Sequence, residues 1–146
     1  MLYGEHEHTI DRKGRLIIPA KFREALKEHY AEKLVVTRGL DQCLFCFPED
    51  EWKAQEQRLR AMPFTKAQSR QFNRLFFSGA VELVWDRQGR ILLPQYLKEF
   101  AGITRDVVLV GVSSRLEIWA KERWRQTYEH TKGSFEEIAE KLWEME

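Results

Sequence analysis

The stretch Asp11-Arg12-Lys13-Gly14-Arg15-Leu16-Ile17-Ile18-Pro19 returns almost intact as Asp86-Arg87-Gln88-Gly89-Arg90-Ile91-Leu92-Leu93-Pro94, 75 residues further along the chain. In both copies a charged turn with a glycine leads into an apolar strand that stops at a proline. A segment repeated at a fixed offset indicates that the structural unit around it is also built twice. The 146-residue chain therefore predicts two half-domains of similar design, which share a core because each would be marginal alone.

The repeat extends well beyond the turns. At an offset of 72, residues 106–112 match 34–40, residues 116–119 match 44–47, and Trp124 matches Trp52. We predict strands where short apolar or alternating runs lie between turn residues. The predicted strands are 5–10, 16–18, 34–38, 44–47, 80–85, 91–93, 106–112 and 116–119.

Helices are predicted after each strand-ending proline and around three amphipathic segments. Two segments carry the Ser/Thr-x-x-Glu/Gln pattern of a capping box, Thr65 with Gln68 and Ser134 with Glu137. The predicted helices run from Pro19 to about Tyr30, from Pro48 to Pro63, from Thr65 onward with Phe72, Leu75 and Phe76 inward, from Pro94 to Ala101, and from Ser134 with Phe135, Ile138 and Leu142 on one stripe.

The overall charge is only +1, but the charges are segregated along the chain. Residues 53–90 hold eight Lys/Arg against three Asp/Glu, whereas residues 28–52 hold two against six. No apolar run approaches the roughly 20 residues of a membrane span, and the N-terminus lacks the basic and apolar segments of a signal peptide. We therefore expect a cytoplasmic protein with no membrane partner.

No motif of an enzyme or a cofactor site is visible, so we expect neither catalysis nor a cofactor nor a small-molecule substrate. Cys43 and Cys46 lie in apolar surroundings without the further ligands that zinc requires, which favours core filling over metal binding. His6 and His8 fall on one face of a predicted strand with no aligned third ligand. A polar strand face is the simpler interpretation, and no metal site is expected.

The duplicated turns are the one cluster of functional groups above background. Asp11 and Asp86 can accept backbone hydrogen bonds, and Gly14 and Gly89 can take a positive φ, so these four are predicted to form the turns. Two roles remain open for the arginines that close the turns. They could bind DNA phosphates or a guanine edge, or simply pair with the turn aspartates at the surface.

Taken together, the runs HTIDRKGRLIIPAKFRE, TRGLDQCLF, FFSGAVELVWDRQGRILLPQ and VGVSSRLEIW resemble the MraZ family of bacterial transcription regulators, relatives of the AbrB-type DNA-binding domain. The resemblance implies an α+β, β-rich fold of two tandem AbrB-like swapped-hairpin repeats (a double-split β-barrel) with flanking helices, packed as one pseudo-dimeric domain. It also implies a ring-like homo-oligomer that binds short direct repeats in double-stranded DNA upstream of the division and cell-wall genes, usually as a nucleoid-associated repressor.

The family's Asp-x-x-x-Arg motif falls on Asp11 with Arg15 and on Asp86 with Arg90. The implied DNA-binding residues are Arg12, Lys13, Arg15, Arg87 and Arg90. Gln88 replaces the lysine of the first turn, so the first turn is expected to contribute more. The division that follows is a first repeat over 1–63, a connecting helix over 64–79, a second repeat over 80–128 and a C-terminal amphipathic helix over 129–146 that packs internally or on another subunit. The rival class is a ring-forming protein-interaction scaffold that does not bind DNA.

Overall fold

A computed structural model describes residues 2–28 and 33–145 and shows an α+β fold in that part of the chain. Its β-strands are antiparallel, and the helices alternate with them along the sequence. The strands are β1 (Leu2–Thr9), β2 (Arg15–Ile17), β3 (Leu34–Arg38), β4 (Leu44–Pro48), β5 (Val81–Leu83), β6 (Arg90–Leu92), β7 (Asp106–Ser113) and β8 (Leu116–Ala120). The helices are α1 (Ala20–Glu28), α2 (Glu49–Arg60), α3 (Ala67–Gly79), α4 (Gln95–Ala101), α5 (Lys121–Lys132) and α6 (Phe135–Glu144).

Strands of the two halves are exchanged in both sheets. The larger sheet has six strands in the order β1-β7-β8-β4-β3-β5, and the smaller pairs β2 with β6. Strand β1 of the first half pairs along its whole length with β7 of the second, and β5 of the second half pairs with β3 of the first. Neither half can therefore complete a sheet alone, and the two repeats form one cooperative unit.

Each basic turn joins strands of different sheets rather than two strands of one hairpin. Strands β1 and β2, which flank the turn from Asp11 to Arg15, lie in the larger and the smaller sheet respectively. The same is true of β5 and β6 around the second turn. Backbone bonds lock the turns to the opposite half, since Ile18 N–H donates to the Gly89 carbonyl at 2.8 Å and Leu93 N–H to the Gly14 carbonyl at 3.0 Å.

The central strands β3, β4, β7 and β8 of the six-stranded sheet bury residues on both faces, since neighbouring residues of a strand point to opposite sides and both sides are covered. In β4, Leu44 and Cys46 face one core, while Phe45 and Phe47 face another. The first core lies under β2, β6, α1 and α4, and the second under α2, α3 and α5. Cys43 and Cys46 are free and buried, one in each core, which agrees with their predicted core-filling role.

Most predicted elements are confirmed within a residue or two. The 34–38 strand is observed over those residues, and α4 ends at Ala101, where Gly102 caps it in the left-handed conformation (φ 65°). The strand predicted over 80–85 is shorter, since only Val81–Leu83 pairs with β3. Helix α1 is described over Ala20–Glu28, and its predicted end near Tyr30 lies outside the described residues.

Both predicted capping boxes are wrong. Helix α3 begins at Ala67 with Lys66 at its N-cap, so Thr65 lies one residue too early to cap it. Ser134 holds the N-cap of α6 but keeps near-helical angles (φ −106°, ψ 6°), and its side chain makes no capping bond. A capping hydroxyl needs the extended backbone that turns it toward the free N–H groups.

The inward face predicted for the second middle helix is also partly wrong. Phe76 is buried and Phe72 packs on it, but Leu75 is 60% exposed. Phe77 packs inward in place of Leu75 and contacts Trp52.

The C-terminal part of the chain forms two helices. Helix α5 runs from Lys121 past residue 128 to Lys132, and α6 follows it as a separate helix. The predicted domain boundaries remain predictions. No helix among the described residues is both long and apolar enough to cross a membrane.

Candidate nucleic-acid interface

Asp11 organises the first turn through both of its carboxylate oxygens. Oδ1 accepts hydrogen bonds from the backbone N–H groups of Lys13 at 3.0 Å and Arg15 at 2.9 Å, and Oδ2 accepts Arg15 Nε–H at 2.6 Å. Gly14 completes the turn with φ at 85° and donates its N–H to the Asp11 carbonyl. The hydrogen bond from the Arg15 backbone N–H is the main reason why the pKa of Asp11 lies below its usual value.

The second turn has the same geometry. Asp86 Oδ1 accepts the N–H groups of Gln88 at 2.9 Å and Arg90 at 3.0 Å, and Oδ2 accepts Arg90 Nε–H at 2.8 Å. Gly89 has φ at 79°. The backbone N–H of Arg90 is again the main cause of a lowered pKa at Asp86. Two different sequences thus produce one rigid shape, because the Asp, Gly and Arg positions are shared.

Pairing with aspartate engages only some of the hydrogen-bond donors of Arg15 and Arg90. Each ion pair engages only Nε, and the terminal amino groups of Arg15 and Arg90 form no hydrogen bond with the described residues. These side chains are 30% and 25% exposed. Both roles considered from the sequence are therefore compatible, since the carboxylate aims the guanidinium and leaves its outer donors available to a ligand.

The pairing of β2 with β6 places both arginines on one exposed face. Arg15 lies opposite Leu92 and Arg90 lies opposite Ile17, while Leu16 and Ile91 point into the core. Ile17 is 41% exposed and Leu92 is 57% exposed. This two-stranded ribbon thus shows two guanidinium groups and two aliphatic side chains on its outer face. The aliphatic pair was not predicted from the sequence, although counting every second residue along the strand from each arginine identifies Ile17 and Leu92 as lying on the same face.

Two further basic residues lie beside the turns and were also missed. The Arg23 guanidinium packs against Gly89, where an added Cβ would come within 2.7 Å of it, and its Nε–H donates to the Ile18 carbonyl at 2.9 Å. In the same way, a Cβ added at Gly14 would lie 3.1 Å from Lys98 Nζ. Arg23 and Lys98 are 75 residues apart. This separation equals the repeat offset, so the sequence did indicate that Arg23 and Lys98 occupy matching positions. Only the strand exchange, however, brings each of these side chains to the turn of the opposite half.

The remaining predicted contacts lie at the tips of the turns. Arg12, Lys13 and Arg87 are exposed, and no ion pair involves them among the described residues. The first turn offers two such cations, and the second offers one beside the neutral Gln88. The result is a bipartite basic surface, with one turn at each end of the ribbon.

The described histidines and cysteines do not form a metal-binding cluster. His6 packs edge-on against Phe22, with ring centroids 4.9 Å apart, and burial lowers the pKa of His8, helped by the nearby His6. Burial raises the pKa of Cys46 to about 12. No group of three potential ligands occurs in residues 2–28 and 33–145.

Two exchanged copies of one unit, each with an aspartate-braced basic turn, define a duplicated α+β protein with a bipartite basic surface. Comparison with known families agrees with this architecture. The model of the family described as "MraZ protein, putative antitoxin-like" matches residues 1–75 and again 76–145. The chain belongs to the MraZ family.

Curated relatives resemble this chain over almost its whole length. One from Caldanaerobacter subterraneus subsp. tengcongensis is 56% identical over 142 residues, which are 97% of this chain and 96% of the relative. Relatives from Syntrophomonas wolfei and Pelotomaculum thermopropionicum are each 53% identical over 97% of this chain, and over 96% and 95% of their own lengths. All three are named "Transcriptional regulator MraZ".

Proposed function

We propose that this protein is a transcriptional regulator that binds double-stranded DNA through the β2–β6 ribbon and its two flanking turns. The observation that carries the proposal is the exposed ribbon face, on which Arg15 and Arg90 are held by aspartate with their outer donors free. The printed names of the relatives support regulation of transcription. The strand exchange supports the AbrB-like swapped-hairpin architecture that the resemblance implies.

The geometry of the ribbon suits the major groove of DNA. A two-stranded β-ribbon fits a groove about 12 Å wide, and its outward side chains then reach the base edges. Arg15 and Arg90 lie two residues apart along the ribbon, which corresponds to about 7 Å. Guanidinium groups can form paired bonds with guanine, while Ile17 and Leu92 can contact thymine methyl groups. The basic groups at both ends, including Arg12, Lys13, Arg87, Arg23 and Lys98, would bind phosphates.

The rigidity of the turns favours this assignment over a plain surface ion pair. An arginine that is ordered before binding loses little conformational freedom when it meets its ligand. Each of these guanidinium groups is fixed by one short bond to a carboxylate, which is itself held by two backbone N–H groups. An ordinary solvent-exposed salt bridge contributes little to stability, and that small contribution does not require a carboxylate held in place by the backbone.

We further propose that the protein acts as a ring-forming homo-oligomer on short direct repeats upstream of division and cell-wall genes, as a repressor in the cytoplasm and nucleoid. One subunit presents few cations for phosphates, so a single box would be bound weakly. Several linked subunits would bind neighbouring boxes together and could raise avidity by about 10² to 10⁴.

Footprinting on DNA upstream of the protein's own gene, over a salt series, tests the function. We expect protection of repeated short boxes and an affinity that falls steeply with salt. A triple Arg12→Ala, Lys13→Ala, Arg87→Ala variant should bind more weakly and show a smaller salt slope, whereas Lys53→Ala on α2 should not. Absence of any salt-dependent DNA binding by the intact protein would favour the protein-interaction scaffold instead.

A chain ending at residue 133 tests the role of assembly. We expect this truncated protein to be smaller in native mass and to lose most of the gain in affinity from one box to a repeat array. A monomeric truncated protein that bound a single box as tightly as the intact protein binds the array would refute the avidity mechanism.

A further inference from the structure

Helix α6 has an amphipathic sequence, and the described part of the chain leaves it largely uncovered. None of its residues is buried. Its apolar stripe remains open, with Phe135 at 72%, Leu142 at 56% and Trp143 at 72% exposure. A row of exposed large apolar side chains on one helix is typical of a surface that binds another protein.

Comparison with the first half explains why α6 stands apart. Six residues link α2 to α3, and α3 returns to stack Phe76 on Trp52, with the ring centroids 5.4 Å apart. Only Gly133 and Ser134 link α5 to α6, and both keep near-helical angles. The short link does not fold α6 back over its own half.

A second exposed surface lies at the outer end of α2 and α3, and we refer to residues 58–75 as the α2–α3 surface. Four large apolar side chains are open there, with Phe64 80% exposed and Leu75 60% exposed, beside Met62 and Phe72. The same residues carry five basic side chains and no carboxylate. The basic residues are Arg58, Arg60, Lys66, Arg70 and Arg74.

The charges of α6 complement this surface. Helix α6 carries four carboxylates and one lysine, and none of the four carboxylates forms an ion pair within the described residues. Its carboxylates are Glu136, Glu137, Glu140 and Glu144. Because each surface joins exposed apolar groups to unpaired charge of one sign, contact between them would bury both apolar areas and pair the charges.

We propose that α6 of one copy docks on the α2–α3 surface of a second copy. The two surfaces belong to different parts of the chain, so the contact is heterologous and continues from subunit to subunit until a ring closes. The inference rests on the homo-oligomer proposed above and names the two surfaces that form it. It also gives the basic α2–α3 surface a protein partner rather than DNA.

Charge reversal tests the pairing. We expect Arg70→Glu with Arg74→Glu, or Glu137→Lys with Glu140→Lys, to weaken self-association about tenfold or more, because like charges would then face each other. All four changes in one chain should restore assembly, and so should an equimolar mixture of the two double variants, which would alternate around the ring. Native mass measurement and sedimentation report each outcome.

Lys53→Glu with Arg125→Glu is the matched control, since both residues are exposed and lie outside the two surfaces. This variant should keep the native mass of the unmodified protein. Circular dichroism confirms that every variant folds. Binding of each variant to a single DNA box is measured separately, so that a failure of the DNA proposal is distinguished from a failure of this one.

Three results would overturn the proposal. One is an unchanged native mass in both double variants, and another is a loss of assembly that the combined changes do not repair. The third is evidence that α6 folds onto its own chain, in the open groove of about 630 Å³ beside Trp124 and Tyr128. That evidence would be a lower melting temperature in Tyr128→Glu, together with an unchanged native mass after Arg70→Glu with Arg74→Glu.

Discussion

The two halves of the molecule agree closely at the turns and differ at the outer helices. Corresponding hydrogen bonds in the turns at Asp11 and Asp86 differ in length by at most 0.2 Å. By contrast, α3 covers Trp52 in the first half, while Trp124 in the second lines an open groove. The bipartite basic surface is built from two equal turns, whereas the proposed assembly would use two unlike surfaces that join head to tail.

The largest expected effect separates the two tryptophans. Trp52→Ala should lower the free energy of unfolding by about 3–5 kcal/mol, because Trp52 packs against Phe47, Phe76 and Phe77. Trp124→Ala should cost about 1–2 kcal/mol, since one side of its ring is open. Urea unfolding at low protein concentration measures both. Equal costs would show that the groove is filled in solution, and the difference between the halves would disappear.

The turn glycines give the next largest difference. Both have a positive φ, so alanine should destabilise each turn by about 1 kcal/mol or more. Gly89→Ala should cost about 1 kcal/mol beyond Gly14→Ala, because its methyl group would collide with Arg23, whereas the free end of Lys98 can move. Thermal unfolding measures the pair, and Arg23→Ala should remove the difference.

The third comparison concerns DNA binding by the two arginines. Arg15→Ala should weaken binding by about 1–3 kcal/mol and relax preference at one position if the side chain reads a base. Arg90→Ala should cost less, because its turn has Gln88 in place of Lys13. Fluorescence anisotropy on operator variants over a salt series tests both. Uniform weakening with a smaller salt slope would indicate phosphate contact, and unchanged binding with lower thermal stability would leave only a turn-pairing role.

The smallest effect is the pH dependence of the turns. The folded pKa values of Asp11 and Asp86 are lowered, so the folded state resists protonation. Their contribution to stability is fully present above the unfolded value of about 4 and is lost as pH falls through the lower folded values. The difference in melting temperature between the natural protein and Asp11→Asn with Asp86→Asn should therefore shrink below pH about 4. A constant difference down to pH 2 would contradict the lowered pKa values.

Several features of the fold were visible in the sequence because they depend on neighbours along the chain. The Asp-x-x-Gly-Arg pattern specifies a turn whose bonds span at most four residues. Apolar alternation gave the main strands, and the left-handed end of α4 follows from Gly102. The capping boxes failed for the same local reason, since a pattern of residue types does not fix the backbone angles that a cap requires.

The sequence by itself determined that the chain carries two copies of one unit, each with a rigid basic turn. Only the tertiary structure decided that β2 pairs with β6, that Arg23 and Lys98 reach the opposite turns, and that α6 stays open. Strand partners are chosen by burial and by hydrogen bonds between residues far apart, and the repeat makes exchanged and unexchanged pairings look alike in sequence. The shared ribbon therefore had to be seen in the fold.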